Sequence, residues 1–356
     1  MKLETATNIL LCLRYGIGDL VMELPAIKAL RAARPQARIT GLGAHPAIEL
    51  LQGEGWLDAL VTAQSFGYRE WADPGTEFSN TAFADWYRAQ RFDAVLDPSH
   101  AVFGIAATIW REGAPCMYDV SRELQSRALA LGLHGYEAVR RSVGDGWGIH
   151  IPAEARPALA LTVQERAAAQ AVLFAVHTGS RPLAAVATAA SSPLKRWSVQ
   201  RFAAVAEFLS DAGYAVLALG APEETAAEKT LLSEHAVWLT PQHLRVTTAI
   251  LENCRLLVCN DTGLMHLAAA VGCPVVPVFG PTSPTIYAPP GAFAVGGMPA
   301  PSCRKDIEFG PTDCVIRGTC AEGAPGCIAR ITVDQVLAAV GKIIRGDRTW
   351  QPPTAY

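Results

Sequence analysis

The stretch NILLCLRYGIGDL, residues 8–20, decides the fold class of this chain. Residues 8–13 form a near-continuous apolar run, which is typical of a strand buried on both faces of a sheet. Two glycines and the carboxylate of Asp19 follow, and apolar residues then recur at helical spacing until Pro35. This strand–turn–helix pattern predicts the first part of a βαβ unit, and therefore a parallel sheet covered by helices.

The same alternation continues along the chain, with a predicted interruption at 140–158, where glycine and proline are frequent. We interpret this interruption as the connection between two domains. In the first domain we predict strands near 38–42, 57–61 and 92–96 and helices near 45–52, 100–110 and 121–131. In the second we predict strands at 172–177, 214–219, 255–259 and 274–279 and helices at 198–211, 222–233, 243–252, from 263 and at 333–345.

The prediction is therefore an α/β protein with two Rossmann-like, doubly wound domains that face each other across a cleft. We place the first domain at 1–158, the second at 159–332, and a C-terminal helix and tail at 333–356. In open sheets of this kind, ligands bind at the carboxyl ends of the strands. Architecture alone does not separate a dehydrogenase from a binding protein or a glycosyltransferase.

Composition limits the function classes further. The 356 residues predict about two domains at roughly 100–200 residues each, and a hydrophobic fraction of 50% excludes extensive disorder. The formal charge is −3, and the absence of a lysine or arginine run argues against nucleic-acid binding. We find no apolar stretch of membrane-spanning length and no signal peptide, so we expect a cytoplasmic protein without a transmembrane segment. The odd count of nine cysteines favours buried thiols over a disulfide framework, chiefly at Cys12, Cys116, Cys254, Cys259 and Cys273.

The turn after the first strand contains Gly16, Gly18 and Asp19. It lacks the third small residue of a dinucleotide fingerprint, because Val21 stands there, and no acidic residue ends the second strand near 40. Both facts disfavour an NAD-dependent oxidoreductase. Asp19 is either a helix cap or a carboxylate that faces the cleft and accepts a proton from an attacking hydroxyl.

Two further segments carry candidate ligands at predicted strand ends. Thr178, Gly179 and Ser180 follow the predicted strand 172–177, and Lys195 stands shortly before a helix, where a lysine and backbone N–H groups can clamp a diphosphate. The alternative for Lys195 is an exposed loop residue. The pair Glu223 and Glu224 follows the strand at 214–219 and either binds ribose hydroxyls or only loads the first turn of a helix with charge.

The most specific segment is CNDTGLMH, residues 259–266. A strand ends here in Asn-Asp-Thr-Gly, whose N–H groups form an anion site, and His266 lies one turn into the next helix. The alternative is structural: Asp261 caps the helix and His266 belongs to the core. The density of polar residues just before an apolar helix favours a ligand site.

Together, the motifs GIGD at 16–19, KRW at 195–197, GAPEE at 220–224, NDTGLMHLAAA at 260–270 and VFGPT at 278–282 resemble glycosyltransferase family 9, the ADP-heptose:lipopolysaccharide heptosyltransferase family. The resemblance implies a GT-B fold in which the second domain binds a nucleotide-sugar donor and the first binds the acceptor. It also implies inversion at the anomeric carbon, no metal and no cofactor, and a final helix that packs back toward the first domain. An Asp-x-Asp pair occurs nowhere in the sequence, which agrees with metal independence.

The resemblance also implies roles for individual residues. Asp19 matches the catalytic base, with Gly16 and Gly18 beside the acceptor, and Lys195 matches the lysine that neutralises the leaving diphosphate. Glu224 matches the ribose ligand, with Glu223 as the fallback. The remaining donor contacts fall on Asp261, Thr262, Gly263 and His266 and on the phosphate loop at Thr178, Gly179 and Ser180.

The chain departs from the family pattern in three places. The loop from 181 to 194 is long and rich in alanine, so its contacts are unassigned; Tyr15 replaces the serine of many relatives; and Cys303, Cys314, Cys320 and Cys327 lack the tight spacing of a zinc site. The implied acceptor is a lipid-linked glycan of the lipopolysaccharide inner core at the inner leaflet of the cytoplasmic membrane. A protein or small-molecule acceptor, and a non-catalytic nucleotide-sugar-binding relative, remain the alternatives.

Overall fold

Residue contacts in the computed structural model divide the chain into two compact units, Met1–Ala160 and Leu161–Tyr356. The predicted boundary between 158 and 159 lies close to this division. We refer to the units as the first and the second domain. The structure describes residues 3–14, 16–67, 81–97, 109, 117–119, 133–176, 179–220, 225–297, 314–315, 319–320 and 326–347.

The first domain contains a five-stranded parallel sheet in the order β3-β2-β1-β4-β5. The predicted strands near 38–42, 57–61 and 92–96 are confirmed, and the predicted helix near 45–52 is a short 3-10 turn. The predicted helices at 100–110 and 121–131 lie outside the described residues except for position 109. The strands are β1 (Asn8–Cys12), β2 (Arg38–Gly43), β3 (Ala59–Thr62), β4 (Ala94–Asp97) and β5 (Met117–Asp119), and the helices are α1 (Ile17–Ala33), α2 (Thr81–Gln90) and α3 (Gly135–Trp147).

Helix α3 overturns the prediction that residues 140–158 are one long interdomain connection. Its buried side chains Val139, Val143 and Trp147 recur at a spacing of four, so they form a stripe that packs into the core. Gly144 lies within this helix, and a Cβ there would stand 3.1 Å from the backbone oxygen of Ile149. The glycine therefore permits a close approach of the following loop rather than marking a linker.

The second domain contains a six-stranded parallel sheet in the order β11-β10-β9-β6-β7-β8. The predicted strands at 214–219, 255–259 and 274–279 and the predicted helices after residue 198 are confirmed, each within a few residues. The strands are β6 (Leu183–Ala187), β7 (Ala215–Leu219), β8 (Val237–Leu239), β9 (Cys254–Asn260), β10 (Val275–Phe279) and β11 (Val295–Gly296). The helices are α4 (Val163–Ala175), α5 (Val199–Asp211), α6 (Ala226–Ser233), α7 (Leu244–Glu252), α8 (Gly263–Ala270), α9 (Pro284–Tyr287), α10 (Gly326–Ala329) and α11 (Val333–Ile344).

The predicted strand at 172–177 is wrong, because residues 172–175 belong to α4. A capping box between Thr162 and Glu165 fixes the start of that helix. The central strand β6 lies instead in the alanine-rich stretch that we treated as a loop. Ala184 and Ala185 are fully buried there between strands β7 and β9, so packing inside the sheet overrides the low strand propensity of alanine.

Helix α11 is confirmed as an element, but it does not form a segment separate from the second domain. Val336, Ala339 and Val340 are buried in the core of that domain, next to residues of β9 and β10. Within the described residues, no helix is both long enough and apolar enough to cross a membrane.

Both sheets follow the Rossmann strand order 3-2-1-4-5, and the second sheet completes it with a sixth strand. The chain reverses its direction of winding between β1 and β4 in the first sheet and between β6 and β9 in the second. Ligands of open α/β sheets bind at this switch point, outside the carboxyl ends of the strands. The fold therefore directs attention to the segments that follow β1, β6 and β9.

Candidate functional site

The switch point of the second domain is organised by Asn260, the last residue of β9. Its side chain is fully buried and bonds to both ends of the segment that follows β6. Asn260 Nδ2 donates to the backbone oxygen of Thr188 at 2.6 Å, and Asn260 Oδ1 accepts from the backbone N–H of Trp197 at 2.9 Å. This amide therefore fixes residues 188–197 against β9.

Lys195 lies within the segment that Asn260 fixes, at the end of a 3-10 turn, Pro193–Lys195. Its Nζ stands 2.8 Å from Asp261 Oδ2, and the side chains are only 16% and 7% exposed. Thr282 Oγ1 donates to the same carboxylate oxygen at 2.6 Å. Lys195 is thus not an exposed loop residue but one partner of a largely buried ion pair at the switch point.

Helix α8 begins directly after this ion pair. Thr262 occupies the N-cap position, so the structural alternative in which Asp261 caps the helix is wrong. The first N–H groups of α8 and the ammonium group of Lys195 contribute positive potential at this junction, and the carboxylate of Asp261 offsets part of it. Thr262 and Gly263 are partly exposed, whereas His266 is buried. The junction can therefore bind an anion, with Thr262 and Gly263 in reach of a ligand at the surface.

The predicted phosphate loop is misplaced. Gly179 and Ser180 follow helix α4 instead of a strand and precede β6, and they line a cavity of about 910 Å³ together with Asn253 and Arg255 at the start of β9. They lie at the amino-terminal edge of the sheet, opposite to Lys195 and Asp261, because parallel strands share their direction. Thr178 and Glu224 lie outside the described residues.

Sequence reasoning missed the segment that does follow β6. Thr188 and Ser192 are buried polar residues there, and Ser192 Oγ accepts from the backbone N–H of Leu194 at 3.3 Å, which caps the 3-10 turn before Lys195. A serine directly before Pro193 is a recognisable start signal for such a turn. The signal was hidden by the assignment of the alanine-rich stretch to a loop.

The switch point of the first domain contains three charged side chains around the start of α1. Asp19 is the third residue of this helix and its side chain is 48% exposed. Arg14 Nη1 stands 4.0 Å from Asp19 Oδ1, and Arg14 Nε contacts the carboxylate of the buried residue Glu23. Asp19 is therefore not the N-cap, a position that Gly16 holds.

The pKa of Glu23 is raised to about 8, because burial and the negative charge of Asp19 raise it by more than Arg14 lowers it. The glycine at 16 has a local purpose, since a Cβ at this position would overlap the Asp19 carboxylate. Gly18 lies in the first turn of α1. Glu23 and Arg14 were not predicted, although a glutamate inside the otherwise apolar stretch of α1 was the visible signal.

The cysteines fall into two groups. Cys12, Cys254, Cys259 and Cys273 are free and buried, as predicted, and burial raises the pKa of each thiol. Cys314, Cys320 and Cys327 are partly buried, while Cys116 and Cys303 lie outside the described residues. Within the described part of the chain, no group of three or more His, Cys, Asp or Glu residues is arranged to hold a metal ion.

Comparison with known proteins adds independent information. The sequence model of glycosyltransferase family 9 (heptosyltransferase) matches residues 138–306, a range that includes Lys195 and Asp261. The chain is 39% identical to lipooligosaccharide heptosyltransferase 2 of Haemophilus influenzae over 121 residues, which is 32% of this chain and 35% of that protein. This local match thus spans about a third of the relative. Lipopolysaccharide heptosyltransferase 1 of Escherichia coli is 24% identical over 84% of this chain and 95% of its own length.

Solved structures agree over nearly the whole chain. The glycosyltransferase family 9 protein of Veillonella parvula superposes with a TM-score of 0.73 at 20% identity, covering 97% of this chain and 99% of that one. The E. coli ADP-heptose lipopolysaccharide heptosyltransferase II gives 0.69 at 20% identity, covering 96% and 100%. The fold is therefore that of these GT-B proteins, and both domains take part in the likeness. By the family match over residues 138–306, by these relatives and by its fold, the chain is similar to the proteins of glycosyltransferase family 9.

Proposed function

We propose that this protein is an inverting glycosyltransferase that moves a heptose, or a similar sugar, from a nucleoside-diphosphate donor to a hydroxyl of a lipopolysaccharide inner-core glycan. The preferred donor is ADP-heptose. The observation that carries the proposal is the junction of Lys195, Asp261 and the start of α8 at the switch point of the second domain. An E. coli heptosyltransferase of the same fold was solved with ADP and with ADP-2-deoxy-2-fluoro heptose.

The donor would bind with its diphosphate on Lys195 and on the first N–H groups of α8. In the free protein Lys195 is paired with Asp261, so the diphosphate competes with this carboxylate for the ammonium group. Once Lys195 turns to the phosphates, Asp261 can accept a hydrogen bond from a hydroxyl of the donor sugar. Thr282 holds one oxygen of the carboxylate in place for that contact. Glu224 remains the proposed ribose ligand.

The transfer step would form a bond between the acceptor oxygen and the anomeric carbon while the bond from that carbon to the diphosphate oxygen breaks. The acceptor proton passes to the carboxylate of Asp19, which we propose as the general base. The negative charge that develops on the leaving diphosphate is stabilised by Lys195 and α8. We propose no metal and no cofactor for this step, because the leaving group already meets fixed positive charge from these groups.

A lipid-linked acceptor would require the protein to work at the inner face of the cytoplasmic membrane, where we propose a peripheral association. Acceptor recognition would fall to the first domain, in the region of Gly16, Gly18 and Asp19.

The proposal is tested by a transfer screen read out by mass spectrometry. The donors are ADP-heptose, ADP-glucose and UDP-glucose, and the acceptors are lipopolysaccharides truncated before the first or before the second inner-core heptose, with a peptide pool as a third arm. We expect one added heptose on a truncated lipopolysaccharide, with inverted anomeric configuration by NMR and undiminished rate in EDTA. Binding of ADP-heptose without transfer in any arm would contradict an enzymatic role.

A further inference from the structure

Glu23 is a buried carboxyl group that the transfer step described above does not use. It lies on α1 four residues after Asp19, so the two side chains share one face of the helix. The Glu23 side chain is 2% exposed, and its carboxylate contacts Nε of Arg14. The other end of the same guanidinium, Nη1, faces Asp19 Oδ1 at 4.0 Å. The order from the core to the surface is Glu23, Arg14, Asp19.

Burial of a carboxyl group and a guanidinium is costly, and an apolar residue at 23 would pack with less penalty. The flanking residues of α1, Leu20, Leu24 and Ile27, are buried and apolar. The contribution of Glu23 is to the orientation of the Arg14 guanidinium. The guanidinium is a rigid planar fork, so fixing its Nε end also fixes the end that faces Asp19.

We propose that Glu23 is a positioning residue for proton transfer to Asp19, and that it acts by holding the Arg14 guanidinium in place beside the Asp19 carboxylate. This inference rests on the proposed function of Asp19 as the base. The positive charge of Arg14 acts on the Asp19 carboxylate. Glu23 fixes the orientation of the Arg14 guanidinium, and its own ionisation changes the net charge of the three-residue cluster.

The Glu23 side chain changes from neutral to negatively charged near pH 8. Its pKa is raised to about 8 by burial, with Asp19 raising it and Arg14 lowering it. On neighbouring elements, Asp97 of β4 raises the pKa of Cys12, and Glu137 of α3 bridges to Arg140 and Arg141. In the described part of the chain, the charges that act on Glu23 are therefore those of Arg14 and Asp19.

Ionisation of Glu23 would add a negative charge beside Asp19 and neutralise part of the charge of Arg14. Asp19 would then hold an accepted proton more strongly. We expect the turnover number of the wild-type protein to rise about three- to tenfold between pH 7 and pH 9, with a midpoint near 8.

The experiment measures kcat and KM from pH 6 to 9.5 with ADP-heptose and the truncated lipopolysaccharide that the transfer screen identifies. The variants are Glu23→Gln, which keeps shape and removes the titration, Arg14→Lys, which keeps the charge and removes the fork, and Asp19→Asn. Asp85→Asn, an exposed carboxylate paired with Arg88 on α2, is the matched control. Melting temperature and ADP affinity are measured for every variant to verify folding and the donor site.

We expect Glu23→Gln to lose the rise near pH 8 while KM for ADP-heptose stays within twofold, and Arg14→Lys to lower kcat about tenfold or more. In the Asp19→Asn background, Glu23→Gln should cause no further loss, because a residue that acts through Asp19 has nothing left to act on. A retained rise in Glu23→Gln, or an additive loss in the double variant, overturns the inference about Glu23. Undiminished turnover in Asp19→Asn overturns the proposed base itself, so the two failures are distinguishable.

Discussion

Lys195 Nζ lies 2.8 Å from Asp261 Oδ2, which joins the segment after β6 to the end of β9 across the switch point of the second sheet. Both side chains are largely buried, so the pair is shielded from the screening that weakens surface ion pairs. A donor diphosphate that displaces Asp261 from Lys195 must therefore interact with the ammonium group at least as favourably as the Asp261 carboxylate does. The two partners are expected to respond to substitution in opposite ways.

Lys195→Ala should weaken ADP binding by about 10- to 100-fold. A hydrogen bond to a charged group contributes about 1.5–3 kcal/mol, which corresponds to this range of affinity. Isothermal titration calorimetry with ADP measures the change, and Lys342→Ala, an exposed lysine in the same domain, is the control. Equal ADP affinity of the Lys195→Ala and Lys342→Ala proteins would remove Lys195 from the donor site.

Asp261→Asn should leave ADP affinity unchanged or increase it, because the carboxylate no longer competes with the diphosphate for Lys195. Transfer from ADP-heptose should nevertheless fall by about tenfold or more, since the charged hydrogen bond to the donor sugar is lost. Calorimetry with ADP and initial transfer rates test the two halves separately. Weaker ADP binding in this variant would show that Asp261 supports the phosphate site instead of competing with it.

Asp19→Asn should lower kcat by about 10²- to 10⁴-fold, which is the contribution of a general base. ADP affinity should not change, because Asp19 belongs to the first domain and the donor contacts to the second. The transfer rate with saturating donor is the measurement, and ADP calorimetry is the internal control. Near-normal turnover would reduce Asp19 to a favourable charge at the start of α1.

The sequence allowed the prediction of most strands because their apolar runs are continuous. It also located the strand–helix junction at Asp261, because polar residues stand there between a buried strand and a helix. The binding roles of these residues stay predictions. The sequence did not allow the prediction of β6. Three of the five residues of this strand are alanine, and its position between β7 and β9, which no local pattern reveals, makes it a strand. That single error moved the expected phosphate loop to Gly179 and Ser180, at the wrong edge of the sheet.

The sequence also did not allow the prediction of hydrogen-bond and ion-pair partners that are distant along the chain. Asn260 belongs to the Asn-Asp-Thr-Gly motif, but its hydrogen bonds to Thr188 and Trp197 span 72 and 63 residues of the chain. Glu23 stands in an apolar helix, and its pairing with Arg14 depends on how the preceding turn folds back. Residue types at a strand end predict that a site exists, whereas the tertiary structure decides which side chains hold it in place.

Asn260→Ala should reduce both stability and ADP affinity, because it frees the segment that contains Lys195. The loss of two buried hydrogen bonds predicts a cost of about 2–4 kcal/mol in the free energy of unfolding. The matched control is Asn253→Ala at the other end of β9, where Asn253 Nδ2 donates to the Ala249 backbone oxygen at 2.8 Å. Chemical denaturation and ADP calorimetry should separate them: both variants lose stability, but only Asn260→Ala loses affinity. Unchanged ADP affinity in folded Asn260→Ala would contradict the link to Lys195.

Glu23 should make the stability of the first domain depend on pH in a direction opposite to that of most carboxylates. Its pKa is raised from 4.5 to about 8 in the folded protein, so between these values the folded state keeps a proton that the unfolded chain releases. The free energy of unfolding should therefore decrease as pH rises through this window, by at most about 1.4 kcal/mol per pH unit, and the decrease should end above pH 8.

Glu23→Gln removes this titration, so its melting temperature relative to wild type should rise by several degrees between pH 5 and pH 8.5. Glu137→Gln on α3 is the control of opposite sign, since hydrogen bonds from Arg140 and Arg141 lower the pKa of Glu137 despite its partial burial. Its stabilising effect is present above the unfolded pKa and is lost only as pH falls below about 4.5. The offset between Glu137→Gln and wild type should thus stay constant from pH 5 to 8.5. Parallel melting curves for Glu23→Gln and wild type across the same range would mean that Glu23 is ionised throughout, in a full ion pair with Arg14.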